Sequence, residues 1–390
     1  MPKLRIREIG EVFDGPHATP KRRKEGKYFL NISSLQNGRL ILDESDFIDD
    51  EDFQRWTRRV TPRENDLLFS YETRLGEAAL MPPDIDAALG RRMALLRPNP
   101  EVVDPTFLLY YWLSPKWQQK IAQNTLYGAT VNRLPITTLP NWEITLPELK
   151  VQRPIGRTLA SLDDKIAANN RAKGIALDLI KTLGGKPTNT VKLSVLCERS
   201  TRSIKPETIE AKTVLHYSLP AFDLGAPAQE DPATIKSNKF SLERPCVLLS
   251  KLNPHTPRIW SVPVINEDVP MIASSEFVVL RPTTCTQAQL FAATAHPELF
   301  HHLESLTGGT SKSHQRVRPA DILTSEVPDT RTLSAEELQM LELLTLRFES
   351  LVVENQVLAR TRDELLPLLM SGRITVGEAE DAADEAASES

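Results

Sequence analysis

The sequence predicts an α/β (α+β) fold: two duplicated globular domains joined by an antiparallel pair of long coiled-coil helices. Three observations carry that expectation. In residues 151–184, Ile155, Leu159, Leu162 and Ile166 step by four, three and four, which lines them along one side of a 3.6-residue helix. In residues 335–370, Leu341, Leu344, Phe348, Leu351, Asn355 and Leu358 repeat the three-four stepping before LLPLLMSG closes the helix at Gly372. The strand, loop and helix signals of the first 150 residues recur after residue 186, with corresponding landmarks about 180 residues apart.

The first domain, residues 1–150, opens with a strand from Leu4 to Phe13 and a basic, Gly/Pro-punctuated loop, DGPHATPKRRKEGK. YFLNISSLQNGRLI reads as strand, turn and strand, because Asn37-Gly38 supplies the positive φ of a tight hairpin. An acidic helical piece runs from Asp43 to Trp56, and DLLFSYETRLGEAAL gives two apolar strands joined across Tyr71 to Arg74. ALGRRMALLRP is a further strand, residues 107–122 have the length of one helix, and a loop then leads to a terminal strand in NWEITLP.

The central helix spans 151–185, and GKPTNTV is the linker out of it. The second domain, 186–334, then answers the first: RPCVLLSKLNPHTPRIWSVPV, SSEFVVLRP, a helix around 287–306 and GGTSKSHQRVRPADILTSEVP follow in the same order. The second long helix occupies 335–372, and an acidic tail of 373–390 is expected to be disordered.

The apolar stripe of the central helix is narrow, with Asp163, Asp164, Lys165, Asn169, Asn170 and Arg171 on its other sides. That pattern belongs to a two-helix seam with a solvated face, so the two stripes should pack on each other, and Asn355 could fix their register. Three residues strain the pattern. Pro154 requires the helix to begin close to Arg153, Gly174 costs about 1 kcal/mol relative to Ala and invites a bend, and Pro367 marks a kink or an end.

The chain has 390 residues, enough for two cores, and no run of eighteen or so apolar residues that a membrane span needs. Cys197, Cys246 and Cys285 have no C-x-x-C spacing, which argues against a disulfide frame or zinc site. With a charged, interrupted start, MPKLRIREIGEVF, this points to the cytoplasm. The formal net charge is −5, but the six acids among the last fourteen residues more than account for it. Positive charge is clustered elsewhere: Lys21 to Lys24, then Arg55, Arg58, Arg59 and Arg63, then Arg91 and Arg92. Such local patches suit nucleic acid.

Catalytic alternatives are weak. GGKPT at 184–188 lacks the first glycine of a phosphate loop and has Pro187 where Ser or Thr belongs. No Asn-Pro-Pro-aromatic stretch and no Gly-rich strand-to-helix turn occurs. Asp163, Asp164 and Lys165 have nuclease-like spacing but fall on the face expected to be solvated. His296, His301, His302 and His314 lack an acid or Cys to complete a metal set. The donors that suit base edges and phosphates are Lys21, Arg22, Arg23, Tyr71, Arg74, Arg91, Arg92, Asn132 and Arg133 in the first domain. In the second they are Lys251, Asn253, His255, Arg258, Lys312, Ser313, His314 and Arg316.

Several stretches together resemble the specificity subunit of type I restriction-modification systems. LASLDDKIAANNR resembles that family's central conserved helix and TRDELLPLLMSGRITV its C-terminal one; LLFSYETRLGEAAL, GRRMALLRP and GATVNR, with LLSKLNPHTPRIW, SSEFVVL and GTSKSHQRV, resemble paired target-recognition domains. The resemblance implies a non-catalytic reader of double-stranded DNA, each domain taking one half of a bipartite site, with the helix pair setting the spacer. It also implies two methyltransferase (modification) subunits and restriction/translocase subunits as partners. No cofactor is then expected on this chain: S-adenosylmethionine, ATP and Mg would sit on those partners, away from any membrane. The rival is a scaffold or adaptor with peptide-binding lobes.

Overall fold

The apolar run Leu67–Ser70 is buried along its length and pairs antiparallel with Met93–Pro98, whose first four residues are buried. Strands buried on both faces belong at a sheet centre, and here they are the middle pair of four, flanked by Gly10–Asp14 and Ala78–Leu80. The computed structural model describes residues 2–16, 19–128, 131–307 and 315–388. These form two compact units, 1–166 with 357–389 and 167–356. Each unit takes half of each long helix, so the helices do not form a module of their own.

In the first unit a second sheet sets Lys27–Leu30 between Asp46–Ile48, antiparallel, and Ala87–Leu89, parallel. The second unit repeats both patterns. Cys246–Ser250 and Phe277–Pro282 are the middle pair of an antiparallel sheet, with Cys197–Ser200 and Ile259–Val262 outside. Val214–Tyr217 lies between Ala228–Glu230, antiparallel, and Met271–Ala273, parallel. A further antiparallel partner there, Lys239–Leu242, has no equivalent strand in the first unit among the described residues.

Local chemistry corrects several expected elements. The opening strand is split: Lys3–Arg5 and Gly10–Asp14 are separated by a helical turn, Ile6–Ile9, whose two isoleucines are fully buried. The Asn37-Gly38 hairpin is present, with φ of +50° and +81°. The expected helix at 43–56 is a 3-10 turn, a strand and the short helix Asp50–Trp56, N-capped by Asp49. ALGRRMALLRP divides into Ala87–Leu89 and Met93–Pro98, which belong to different sheets. Residues 107–122 belong to two helices, Pro105–Leu113 and Pro115–Asn124, because Pro115 forces Ser114 into an extended conformation and Ser114 then caps the second helix. His296 before Pro297 breaks the helix near 287–306 into Gln287–Ala295 and Pro297–Ser305 for the same reason. The linker at 185–191 ends in a strand, Thr190–Lys192, paired with Glu326–Pro328.

The long helices run Leu149–Gly184 and Ala335–Ser371. Neither internal proline ends its helix. Pro154 forgoes the bond to the Lys150 carbonyl in an exposed first turn, where water can replace it. Gly174 leaves the helix unbroken and faces open space. Gly372, with φ of +69°, closes the second helix, and the Arg373 N–H donates to the Leu368 carbonyl at 3.0 Å.

The two apolar stripes do not pack on each other as whole stripes. An antiparallel pair sets the start of one helix against the end of the other. In the first unit Ile155, Leu159 and Leu162 therefore join Leu358, Leu365, Leu366 and Leu369, with Ile166 at the edge. They also sit in a large core with Ile6, Phe107 and Trp112, so this half is not a thin seam. In the second unit Leu341, with partly buried Leu344 and Phe348, packs with Ile180, Leu177 and Leu183, and Leu351 is fully buried. Asn355 donates from Nδ2 to Asn170 Oδ1 at 3.0 Å. Asp163 is not on a solvated face: it is 9% exposed, while Asp164 remains open and pairs with Arg39 at 3.0 Å.

The acidic tail is not disordered over its described part. Val376–Ser388 is a helix with Ala379 fully buried and Ala382 and Ala383 against the first core. Thr375 and Glu378 form its capping box: the Thr375 N–H donates to the Glu378 carboxylate at 2.7 Å, and the Glu378 N–H donates to Thr375 Oγ1 at 3.3 Å. Among the described residues no helix is long and apolar enough to cross a membrane.

Candidate nucleic-acid interface

In each unit the central strand pair ends in turns that a third loop ties together. In the first unit the Tyr71 N–H donates to the Arg92 carbonyl at 3.1 Å and the Leu134 N–H to the Tyr71 carbonyl at 2.8 Å. The Thr73 N–H reaches the Asn132 carbonyl at 3.4 Å, Glu72 bridges Arg133, and Ser70 Oγ donates to the Glu72 carbonyl at 2.9 Å. Thr73 holds φ of +68°, an uncommon conformation for a β-branched residue, and these bonds hold it there.

The second unit repeats that bonding pattern residue for residue. The Lys251 N–H donates to the Glu276 carbonyl at 3.0 Å, the Val317 N–H to the Lys251 carbonyl at 2.9 Å and the Asn253 N–H to the Gln315 carbonyl at 2.8 Å. Leu252 bridges Arg316, Ser250 Oγ donates to the Leu252 carbonyl at 3.0 Å, and Asn253 takes φ of +51°. A rim of three loops is thus built twice on the same backbone scheme.

The side chains on the two rims differ. On the first, Arg91, Asn132 and Arg133 are exposed, and neither arginine has an ion pair among the described residues. Arg92 pairs with Glu72 at 3.3 Å and donates to Thr73 Oγ1 at 3.3 Å. On the second, Arg316 donates to both oxygens of Glu276 at 3.1 and 3.0 Å, which raises its pKa. Arg258 makes a similar fork to Asp223 at 2.7 and 2.9 Å. His255 is exposed, Lys251 is half-buried, and Asn253 Oδ1 is buried with no donor. Among the described residues the charge layout is therefore specific to each rim, with two open guanidinium groups on the first and closed arginine ion pairs on the second.

Four sequence candidates belong elsewhere or have another task. Tyr71 is 5% exposed, part of the core, and donates from its hydroxyl to the Arg91 carbonyl at 2.8 Å. Arg74 is half-buried, spanning the Ile32 carbonyl at 3.3 Å and Glu77 at 3.2 Å. Arg22 pairs with Asp46 at 3.2 Å and Arg23 with Asp49 at 2.7 Å. They tie the basic loop to the second sheet, and Lys21 and Lys24 beside them are exposed. Lys312, Ser313 and His314 lie outside the described residues. Sequence reasoning missed Glu72 and Glu276, which pair with Arg92 and Arg316.

Burial pushes the Tyr71 hydroxyl up to about 12. An acid whose folded pKa is raised gives stability that is whole below its unfolded value near 10 and is lost as pH rises through about 12. A difference titration of tyrosinate absorbance between the natural chain and Tyr71→Phe is expected to place the ionisation of this buried tyrosine at about 12. Ionisation near pH 10 would contradict its place in the core.

Comparison with known proteins follows the same geometry. Residues 2–176 match the family model of the type I restriction modification DNA specificity domain. The matched stretch ends inside the central helix and contains all three loops of the first rim. A Methanocaldococcus jannaschii protein assigned as the MjaX type I restriction enzyme specificity subunit is 25% identical over 182 residues, which is 43% of this chain and 41% of that relative. The match thus spans less than half of the relative's length. The crystal structure of a type I restriction-modification S subunit from M. genitalium has a similar fold, with a TM-score of 0.56 at 15% identity over 95% of this chain and 96% of that one.

Proposed function

We propose that this chain is the specificity subunit of a type I restriction-modification complex, a non-catalytic reader of a split, asymmetric double-stranded DNA site. Each rim reads one half-site and the helix pair sets the spacer. The observation that carries this reading is the three-loop rim built twice on one bonding scheme with different side chains, as two different half-sites require.

The helix halves in the second unit also support partners. Ile175, Leu179, Met340, Leu343, Leu346 and Val353 are exposed there, and apolar patches of this kind mark protein contacts. Two methyltransferase subunits are the occupants we assign, with restriction/translocase subunits joining them. S-adenosylmethionine, ATP and Mg then belong to those partners, and the work is done in the cytoplasm.

Band shifts with the chain and its modification partner test the reading. Binding is expected to favour one bipartite duplex over random duplex at moderate salt, and equal affinity for both would sink it. Arg133→Ala is expected to relax discrimination at one position of one half-site by about 1–3 kcal/mol and leave the other half-site unchanged. A peptide-binding scaffold would show neither effect.

A further inference from the structure

The first unit has a cleft of about 210 Å³ between the end of the Asp50–Trp56 helix and the turn that follows the strand Gly10–Asp14. Arg55, Arg58 and Arg59 line it with Trp56. Arg59 pairs with Asp14, whereas Arg55 and Arg58 are exposed with no ion pair among the described residues, and Arg55 stands 5.6 Å over the indole of Trp56. The Trp56 N–H is buried and finds no acceptor. A buried donor without a partner is costly, and here it shares a cleft with two unneutralised guanidinium groups. Together they ask for an anion with several acceptor oxygens.

The cleft adjoins the rim. Its wall at Gly15 donates from the backbone N–H to the Met93 carbonyl at 2.8 Å, and a Cβ there would stand 2.5 Å from the Gly90 carbonyl oxygen. Only glycine lets the wall close on the 90–93 turn that carries Arg91 and Arg92. Its volume is below the roughly 300 Å³ at which sites enclose a drug-sized ligand, so it suits one group of a larger molecule. In the second unit a one-turn 3-10 helix, Pro232–Thr234, follows the corresponding strand, so the arginine-bearing helix is a feature of the first unit.

We propose that this cleft is a phosphate clamp: it takes one backbone phosphate of the duplex held on the first rim, between Arg55, Arg58 and the Trp56 N–H. The proposal rests on the reading of the chain as a DNA reader. It adds a grip that is blind to sequence beside loops that read it.

The test uses the full chain with its modification partner and measures duplex affinity against salt. Each phosphate neutralised contributes about 0.9 to the slope of log affinity on log salt. Arg55→Gln with Arg58→Gln is expected to flatten that slope by about 0.9, the share of one phosphate, and to weaken preferred and random duplexes by the same factor. Trp56→Phe keeps an aromatic ring but removes the N–H, and is expected to weaken both equally, by less. Inorganic phosphate is expected to compete with duplex for the natural chain more than for the double variant.

An unchanged slope in the double variant, with the natural chain still choosing its duplex, overturns the clamp and leaves the DNA reading standing. So does competition by phosphate without a change of slope, which would make the cleft a site for the free anion. A changed preference between duplexes would make the arginines base readers and also overturn it. Failure of the natural chain to discriminate sinks the reading itself, and the clamp with it.

Discussion

Arg362→Ala is expected to destabilise the first unit by about 3–5 kcal/mol, the cost of leaving a buried charge without its partner. Asp163, on the central helix, is 9% exposed. Its carboxylate accepts from Arg362 Nη1 at 2.5 Å and from the Tyr110 hydroxyl at 2.6 Å. Arg362 comes from the second long helix and Tyr110 from the helix Pro105–Leu113. Three elements are thus pinned on one carboxylate. Removing the guanidinium leaves a buried anion with a single neutral donor. A double-mutant cycle with Asp163→Ala separates the pair from simple truncation, since the double variant is expected to lose less than the sum. Urea unfolding followed on the first unit's tryptophans measures it, and a loss under about 1 kcal/mol would mark the pair as a screened surface contact.

Leu159→Ala is expected to cost a further two to five kcal/mol in its own right, about 3 kcal/mol in the middle of that range. Leu159 has no exposure and lies in the core that includes the paired rings of Phe69 and Trp112, whose centroids are 4.6 Å apart. Close-packed surroundings on both sides prevent collapse into the cavity. Leu343→Ala is the control. Leu343 is 56% exposed on the second long helix, and its truncation is expected to change stability by less than about 0.5 kcal/mol. In the proposed complex it should instead weaken capture of the methyltransferase subunit, read in a co-purification titration. If Leu159→Ala unfolds no earlier than Leu343→Ala, the central helix is not part of the first core.

Local spacing was enough to locate both long helices, the Asn37-Gly38 hairpin, the repeated order of strands and the turn at 71–74, because periodicity and turn chemistry act within a few residues. The tail helix is legible as well: Thr375 and Glu378 are a capping box, and Ala379, Ala382 and Ala383 are an apolar stripe, although its six acids give the segment the composition of a disordered one. The two prolines after Ser114 and His296 suffice to divide their helices, because the residue before a proline is driven out of the helical conformation.

What the sequence by itself determined is a set of elements, their order and their duplication, all of which follow from interactions between near neighbours. Only the tertiary structure decided that Tyr71 lies in the core and Arg133 in the open, that Glu72 and Glu276 neutralise chosen arginines, and that Asp163 is buried beneath Arg362. Burial and charge pairing depend on residues brought together from distant parts of the chain. A run of basic residues cannot reveal which of its charges are already spoken for.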